Sequence, residues 1–69
     1  MSYLDFSQKL EVLLKEAKHG NTGTPREVAQ KLHVSDKTVR RMVNILRESG
    51  IPIKYCRKSR NYFIIDEEN

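Results

Sequence analysis

Apolar residues recur at helical spacing through the first part of the chain. Leu10, Leu13, Leu14 and Ala17, with Phe6 one turn earlier, alternate with Gln8, Lys9, Glu11, Lys15, Glu16 and Lys18. The pattern predicts a first helix ending near His19 and Gly20, with Val12 off its apolar stripe. His19, when protonated, would favour the negative end of that helix. The glycines of GNTGTP, residues 20–25, invite comparison with a phosphate loop, but no strand-like run precedes them and no Gly-Lys-Ser/Thr follows. A capping reading fits better: Thr24 is the N-cap, Pro25 takes the first helical position, and Glu27 completes a capping box. A second, short helix is expected from Pro25 to about Leu32, burying Val28, Ala29 and Leu32.

His33, Val34 and Ser35 then predict a tight turn. Ser35 caps a third helix that continues to Ser49 and stops at Gly50, where a left-handed backbone suits glycine. Val39, Met42, Val43 and Leu46 form its inward stripe. Counting roughly 100° per residue from Val39, Lys37, Arg41 and Asn44 fall near 140–200°, pointing away from the core. Arg40 lies on one flank and Thr38 on the other. Beyond Gly50 the period drops to two. IPIKYC and NYFIID read as paired strands, Pro52 marks an edge, and the basic RKSR connects them at a hairpin tip. The elements predict an α+β fold, a three-helix core followed by a two-stranded β-hairpin. Its core is expected to hold Leu10, Leu13, Leu14, Val28, Ala29, Leu32, Val39, Met42, Val43, Leu46, Ile53 and Ile64.

Size and charge narrow the function. With 69 residues the chain is near the lower limit for a lone hydrophobic core, which disfavours a deep enzyme pocket. The formal net charge is +4, and it is unevenly spread. Residues 1–24 are balanced, residues 25–65 carry ten Lys and Arg against three Asp and Glu, and Asp66, Glu67 and Glu68 add an acidic end. A polyanionic partner for residues 25–65 follows. The division expected is one domain over 1–65 and a short acidic tail over 66–69. Cys56 is the single cysteine, so no disulfide forms within the chain and a reducing cytoplasm fits. The longest apolar run, Tyr62 to Ile65, is far too short for a membrane span or a signal-peptide core.

Two helices joined by a tight turn and followed by a basic hairpin match the sequence of a winged helix-turn-helix. The run VAQKLHVSDKTVRRMVNILRESGIPI resembles the type 11 helix-turn-helix domains, close to the DeoR-type and biotin-repressor winged helices. In those domains a Val-Ser turn leads into a Thr-Val/Ile-Arg-Arg recognition helix. GIPI with the basic turn and aromatic strand also resembles the N-terminal domains of WYL-type bacterial regulators. The resemblance covers roughly residues 6–65 and implies a DNA-binding winged helix in a small transcriptional regulator. It implies that Ala29 is the small residue between the second and third helices, Val34 the buried turn residue and Val39 the core anchor. Ser35, Lys37, Thr38, Arg40, Arg41 and Asn44 match positions that face DNA. His33 departs from the family, which usually has glycine there. The wing is followed by only a few residues, where larger relatives continue into an effector domain.

The implied partner is double-stranded DNA. Lys37 and Arg41 suit guanine O6 and N7, and Asn44 suits adenine or a phosphate. On the wing, Lys54, Arg57, Lys58 and Arg60 suit the backbone or the minor groove. A homodimer or a larger regulatory protein is a candidate for assembly. His19, His33 and Cys56 have no close-set metal-ligand spacing, and no base, acid and oxyanion site accompanies Cys56. Neither metal, cofactor nor catalysis is expected. The competing function is a winged helix that binds protein through Val12, Tyr3 and Phe63, its basic face serving solubility. An RNA partner is weaker, since an aromatic platform on a four-stranded sheet is missing from the pattern.

Overall fold

The computed structural model describes residues 3–65, with side chains from residue 5. The acidic tail at 66–69 and the Tyr3 side chain lie outside the described residues. Three helices are followed by a hairpin: α1 (Tyr3–Lys18), α2 (Pro25–Leu32), α3 (Asp36–Glu48), β1 (Ile53–Cys56) and β2 (Asn61–Ile64). This is a winged helix-turn-helix.

All three helices stop in the same way. After α1, the amides of Gly20 and Asn21 donate back to the carbonyls of Ala17 and Glu16; after α3, Gly50 and Ile51 donate to Arg47 and Leu46. This paired closure needs a left-handed residue, and Gly20 and Gly50 supply it at φ 63° and 94°. The end of α2 is closed identically by His33 and Val34, which donate to Gln30 and Ala29. His33 adopts φ 57° and ψ 46°, so the turn keeps glycine geometry with a Cβ in place. Closure at that point turns Val34 inward against the core.

The start of α2 is a full capping box: Thr24 Oγ1 accepts from the Glu27 amide at 3.2 Å, and Glu27 Oε1 accepts from the Thr24 amide at 2.8 Å. Helix α3 ends one residue before the expected Ser49, which serves as its cap. Strand β1 begins at Ile53 rather than Ile51. The Ile53 amide donates to the Ile51 carbonyl at 2.8 Å, a turn centred on Pro52, whose fixed φ and missing N–H suit that position.

The antiparallel hairpin pairs Ile53 with Ile64, Lys54 with Phe63, Tyr55 with Tyr62 and Cys56 with Asn61. Helix α2 packs on α3, while α1 packs on α3 and β2. Leu13, Val28, Val39, Met42 and Ile53 are fully buried at the junction. Each such side chain contributes roughly 1.5–3 kcal/mol on leaving water. Ala17 and Ala29 are buried too, where a larger side chain would hold the helices apart. Two expected core residues differ in depth: Leu10 and Ile64 only pack at the margin. Leu14 does not join the core; it lies in a shallow groove with Glu11, Lys15 and Lys18. The covered stripe of α1 is narrow, lies mainly under α3 and β2, and follows Leu13 and Ala17. Tyr62 takes a buried place instead.

Candidate nucleic-acid interface

The start of α3 is built by Ser35 and Thr38. Ser35 Oγ accepts from the Thr38 amide at 3.1 Å, and the two hydroxyls lie 3.1 Å apart. Both hydroxyls are therefore engaged in holding the first turn. Val39, Met42, Val43 and Leu46 are buried on the inner side of the helix, which leaves Lys37, Arg40, Arg41 and Asn44 exposed. None of these four side chains makes a hydrogen bond or ion pair among the described residues. Elsewhere on the helices Lys9 pairs with Asp5 at 3.4 Å, Lys31 with Glu16 at 3.0 Å, and Arg47 Nε donates to the Ile53 carbonyl at 3.0 Å, while Lys15, Lys18 and Arg26 are exposed without a partner among the described residues. Three of the unpaired basic side chains of the helices, Lys37, Arg40 and Arg41, thus lie close together on the first turns of α3.

The wing adds to it. Arg57, Lys58 and Arg60 are exposed at the hairpin tip, and Lys54 is exposed opposite Phe63. The tip closes through the Arg60 amide, which donates to the Cys56 carbonyl at 2.8 Å, with Arg60 at φ 58°. Ser59, through its hydroxyl and then its amide, together with the Lys58 amide, holds the Cys56 thiol below its ordinary value. Asn61 ties this tip to the rest of the molecule. Its Nδ2 donates to the Ser59 carbonyl at 2.9 Å, and its Oδ1 accepts from the Gly23 amide at 2.7 Å. One residue on, the Tyr62 amide donates to Oγ1 of the buried Thr22 at 2.8 Å. Gly23 sits at φ 84°, and a Cβ there would come within 2.6 Å of Glu27 Oε1, so a larger residue would be strained and would displace the Glu27 side chain from the capping box.

Between α3 and the hairpin lies a cleft of about 320 Å³, lined by Asp36, Arg40, Asn44 and Arg47 on one side and by Tyr55 and Tyr62 on the other. The two tyrosine rings meet edge to face at 5.1 Å. Burial, followed by Tyr55, raises the Tyr62 hydroxyl above its usual value, while Arg47 and Arg40 act in the opposite direction.

The model of the type 11 helix-turn-helix family, an HTH domain, matches residues 7–59. The chain belongs to that family. No curated protein and no solved structure matches it. In this helix-turn-helix domain the matched stretch runs from α1 through the second helix pair to Ser59 in the wing turn.

Of the residues the sequence marks as DNA-facing, the helix-turn-helix domain brings Lys37, Arg40, Arg41 and Asn44 onto one exposed surface of α3. Arg40 and Asn44 turn to the flank that the hairpin overlooks, so Asn44 does not point straight away from the core. Arg57, Lys58 and Arg60 stand apart on the wing tip. Tyr55 and Tyr62 line the cleft and were not among the expected site residues; the alternation that places Ile53 inward places both of them on the same side. Thr22 and Asn61 carried no local signal, because their partners lie about 40 positions away in the chain. Among the described residues there is no group of three or more His, Cys, Asp or Glu able to hold a metal ion, and no helix long and apolar enough to cross a membrane.

Proposed function

We propose that this domain binds double-stranded DNA in a sequence-specific manner, as a small transcriptional regulator of a reducing cytoplasm that acts by binding rather than catalysis. One observation carries the reading. Lys37 and Arg41 stand exposed and unpaired, among the described residues, on the outer side of the helix that follows the helix-turn-helix turn. That position delivers side chains to base edges when the helix enters the major groove. Arg41 and Lys37 then bond guanine edges, Ser35 and Thr38 lie beside the entering end of the helix, and Arg57, Lys58, Arg60 and Lys54 follow the backbone or the minor groove from the wing. Membership in a helix-turn-helix family supports a nucleic-acid partner. The protein-binding alternative draws less support: Val12, 42% exposed, is the one large exposed hydrophobic residue among those described, and Phe63 is half-buried.

Selection from random duplexes tests the reading and its assembly together. An inverted repeat identifies a homodimer, a single short motif a monomer, and no enrichment favours the protein-binding alternative. On the selected duplex, Arg41→Ala is expected to lose about 1–3 kcal/mol and relax preference at one base pair. Lys58→Ala is expected to weaken selected and scrambled duplexes alike and to reduce the slope of log K against log salt by about 0.9. Equal weakening of every duplex by both variants would make Arg41 a phosphate contact and end its base-reading role.

A further inference from the structure

We propose that the cleft between α3 and the hairpin is a phosphate seat, occupied by one backbone phosphate of the duplex; its occupant's source rests on the DNA-binding reading above. Arg40 and Arg47 stand two turns apart on the same flank of α3, with Asn44 between them. Arg47 spends only its Nε on the Ile53 carbonyl, which fixes the guanidinium at the rim and leaves its terminal nitrogens without a hydrogen bond among the described residues. Opposite them, the Tyr62 ring is buried to 7% exposure, yet its hydroxyl has no hydrogen-bond partner among the described residues. No polar side-chain atom among those residues is both fully buried and unpartnered, so this hydroxyl keeps access to the cleft that its residue lines. The opposing influence of Arg47 and Arg40 on its ionisation places it in the field of both guanidiniums.

Two guanidinium-bearing residues, a carboxamide and a phenol line one cleft, with Pro25 and Val43 beside them and Asp36 as the lone carboxylate of the wall. Such a donor-rich set suits an acceptor with several oxygens and a negative charge, and arginine forks match phosphate oxygens closely. The setting favours a polyanion over a lone anion. Lys37 and Arg41 continue the positive surface beyond the cleft along α3, so a strand lying against them passes its mouth. This divides the basic helix in two: Lys37 and Arg41 face bases, whereas Arg40 and Asn44 hold the backbone. An Arg40 substitution then weakens binding without changing base preference.

The test uses the full chain and a scan of single neutral methylphosphonates along the selected duplex. For the wild type, one backbone position is expected where neutralisation weakens binding about ten-fold, the scale of one hydrogen-bonded charge contact. Arg40→Gln, at an exposed site, is expected to bind the unmodified duplex about ten-fold more weakly and to lose sensitivity at that position alone; Arg41→Ala keeps it. Full sensitivity of Arg40→Gln at every position overturns the seat while leaving DNA binding intact. If no duplex binds, the DNA reading falls separately, and inorganic phosphate becomes the probe. Movement of the Arg40 Nε–H and Asn44 side-chain amide resonances on phosphate addition, absent in Arg40→Gln, then sustains a seat for free phosphate; unmoved resonances end the proposal.

Discussion

The α2–turn–α3 unit and the wing are held by different kinds of interaction. Between Thr24 and Gly50 the polar fastenings that shape the helix pair are local: a capping box at Thr24, a hydroxyl cap at Ser35, and paired closures at His33 and Gly50 span at most five residues, and only the exposed Lys31–Glu16 pair reaches from α2 to α1. The hairpin is fastened at long range, through Tyr62 to Thr22 and Asn61 to Gly23, with Arg47 reaching from α3 to the Ile53 carbonyl. Local fastenings set the shape of a helix pair before it meets anything else, so the side chains of α3 are presented at fixed spacing. Remote fastenings set an angle between parts. The angle of the wing, and with it the width of the cleft, therefore depends on a few hydrogen bonds made by the α1–α2 linker.

The largest blow to either region comes through the core they share. Leu46, 6% exposed, lies under α3, and Leu46→Ala is expected to cost about 2–5 kcal/mol from the lost transfer energy and the cavity left behind. In a domain of 69 residues that is a large part of the total stability, so helices and hairpin should melt together and at a much lower temperature. Thermal unfolding followed by circular dichroism checks this. A melt equal to that of the wild type would remove Leu46 from the core.

A smaller change separates the regions. Thr22→Val keeps the shape of a fully buried side chain and removes the acceptor of the Tyr62 amide. An unsatisfied buried N–H costs about 1–3 kcal/mol. Hydrogen exchange should accelerate most at Tyr62 and its hairpin neighbours, with the α2 and α3 amides less affected. Uniform acceleration throughout the chain would show that the wing is not a separately adjustable part.

The same contrast explains what could be read from the chain. Thr24, Pro25 and Glu27 announce the start of α2 within four residues, Ser35 that of α3, and the stripe from Val39 to Leu46 its buried side, because each signal acts over a turn of helix. The exposed row of Lys37, Arg40, Arg41 and Asn44 followed from the same periodicity. Asn61 and Thr22 look like ordinary turn residues, since nothing near them in sequence indicates partners some 40 positions away. The cleft is hidden for the same reason: its walls come from α3, both strands and Pro25 at the start of α2, and only the packed hairpin brings Tyr62 to the same cleft as Arg40. Leu14 fits the helical stripe equally well, but it lies beyond the surface of α1 that its neighbours cover.

Acid should weaken the local fastening of α2 at Glu27. The Thr24 amide, then the Thr24 hydroxyl, hold the Glu27 carboxyl below its usual range, with Lys31 and Arg60 adding to the effect. A carboxyl lowered on folding stabilises the fold fully above its unfolded value of about 4.3, and that contribution disappears as pH falls through the lower folded value. Melting temperatures of the wild type and Glu27→Ala measured from neutral pH down to acid should therefore converge below that range. A constant gap at all pH values would mean that the charge of Glu27 contributes nothing to the cap.

The smallest expected effect has the opposite sign. His33 occupies the left-handed closure that Gly20 and Gly50 provide for the other two helices, and its side chain is exposed without a hydrogen bond among the described residues. A Cβ in that conformation costs about 1–2 kcal/mol. Glycine removes this cost but gains freedom in the unfolded chain, which returns about 0.4–1 kcal/mol to the unfolded side. The balance makes His33→Gly about 0–1.6 kcal/mol more stable than the wild type, measurable as a small rise in the denaturant midpoint at unchanged slope. The Val34 amide donates to the Ala29 carbonyl at 2.9 Å through the backbone alone, so the turn and the angle between α2 and α3 should be retained. DNA affinity then stays level while stability rises. A loss of stability would mean that the imidazole supports the turn, and the local fastening of this unit would no longer be a matter of backbone closure.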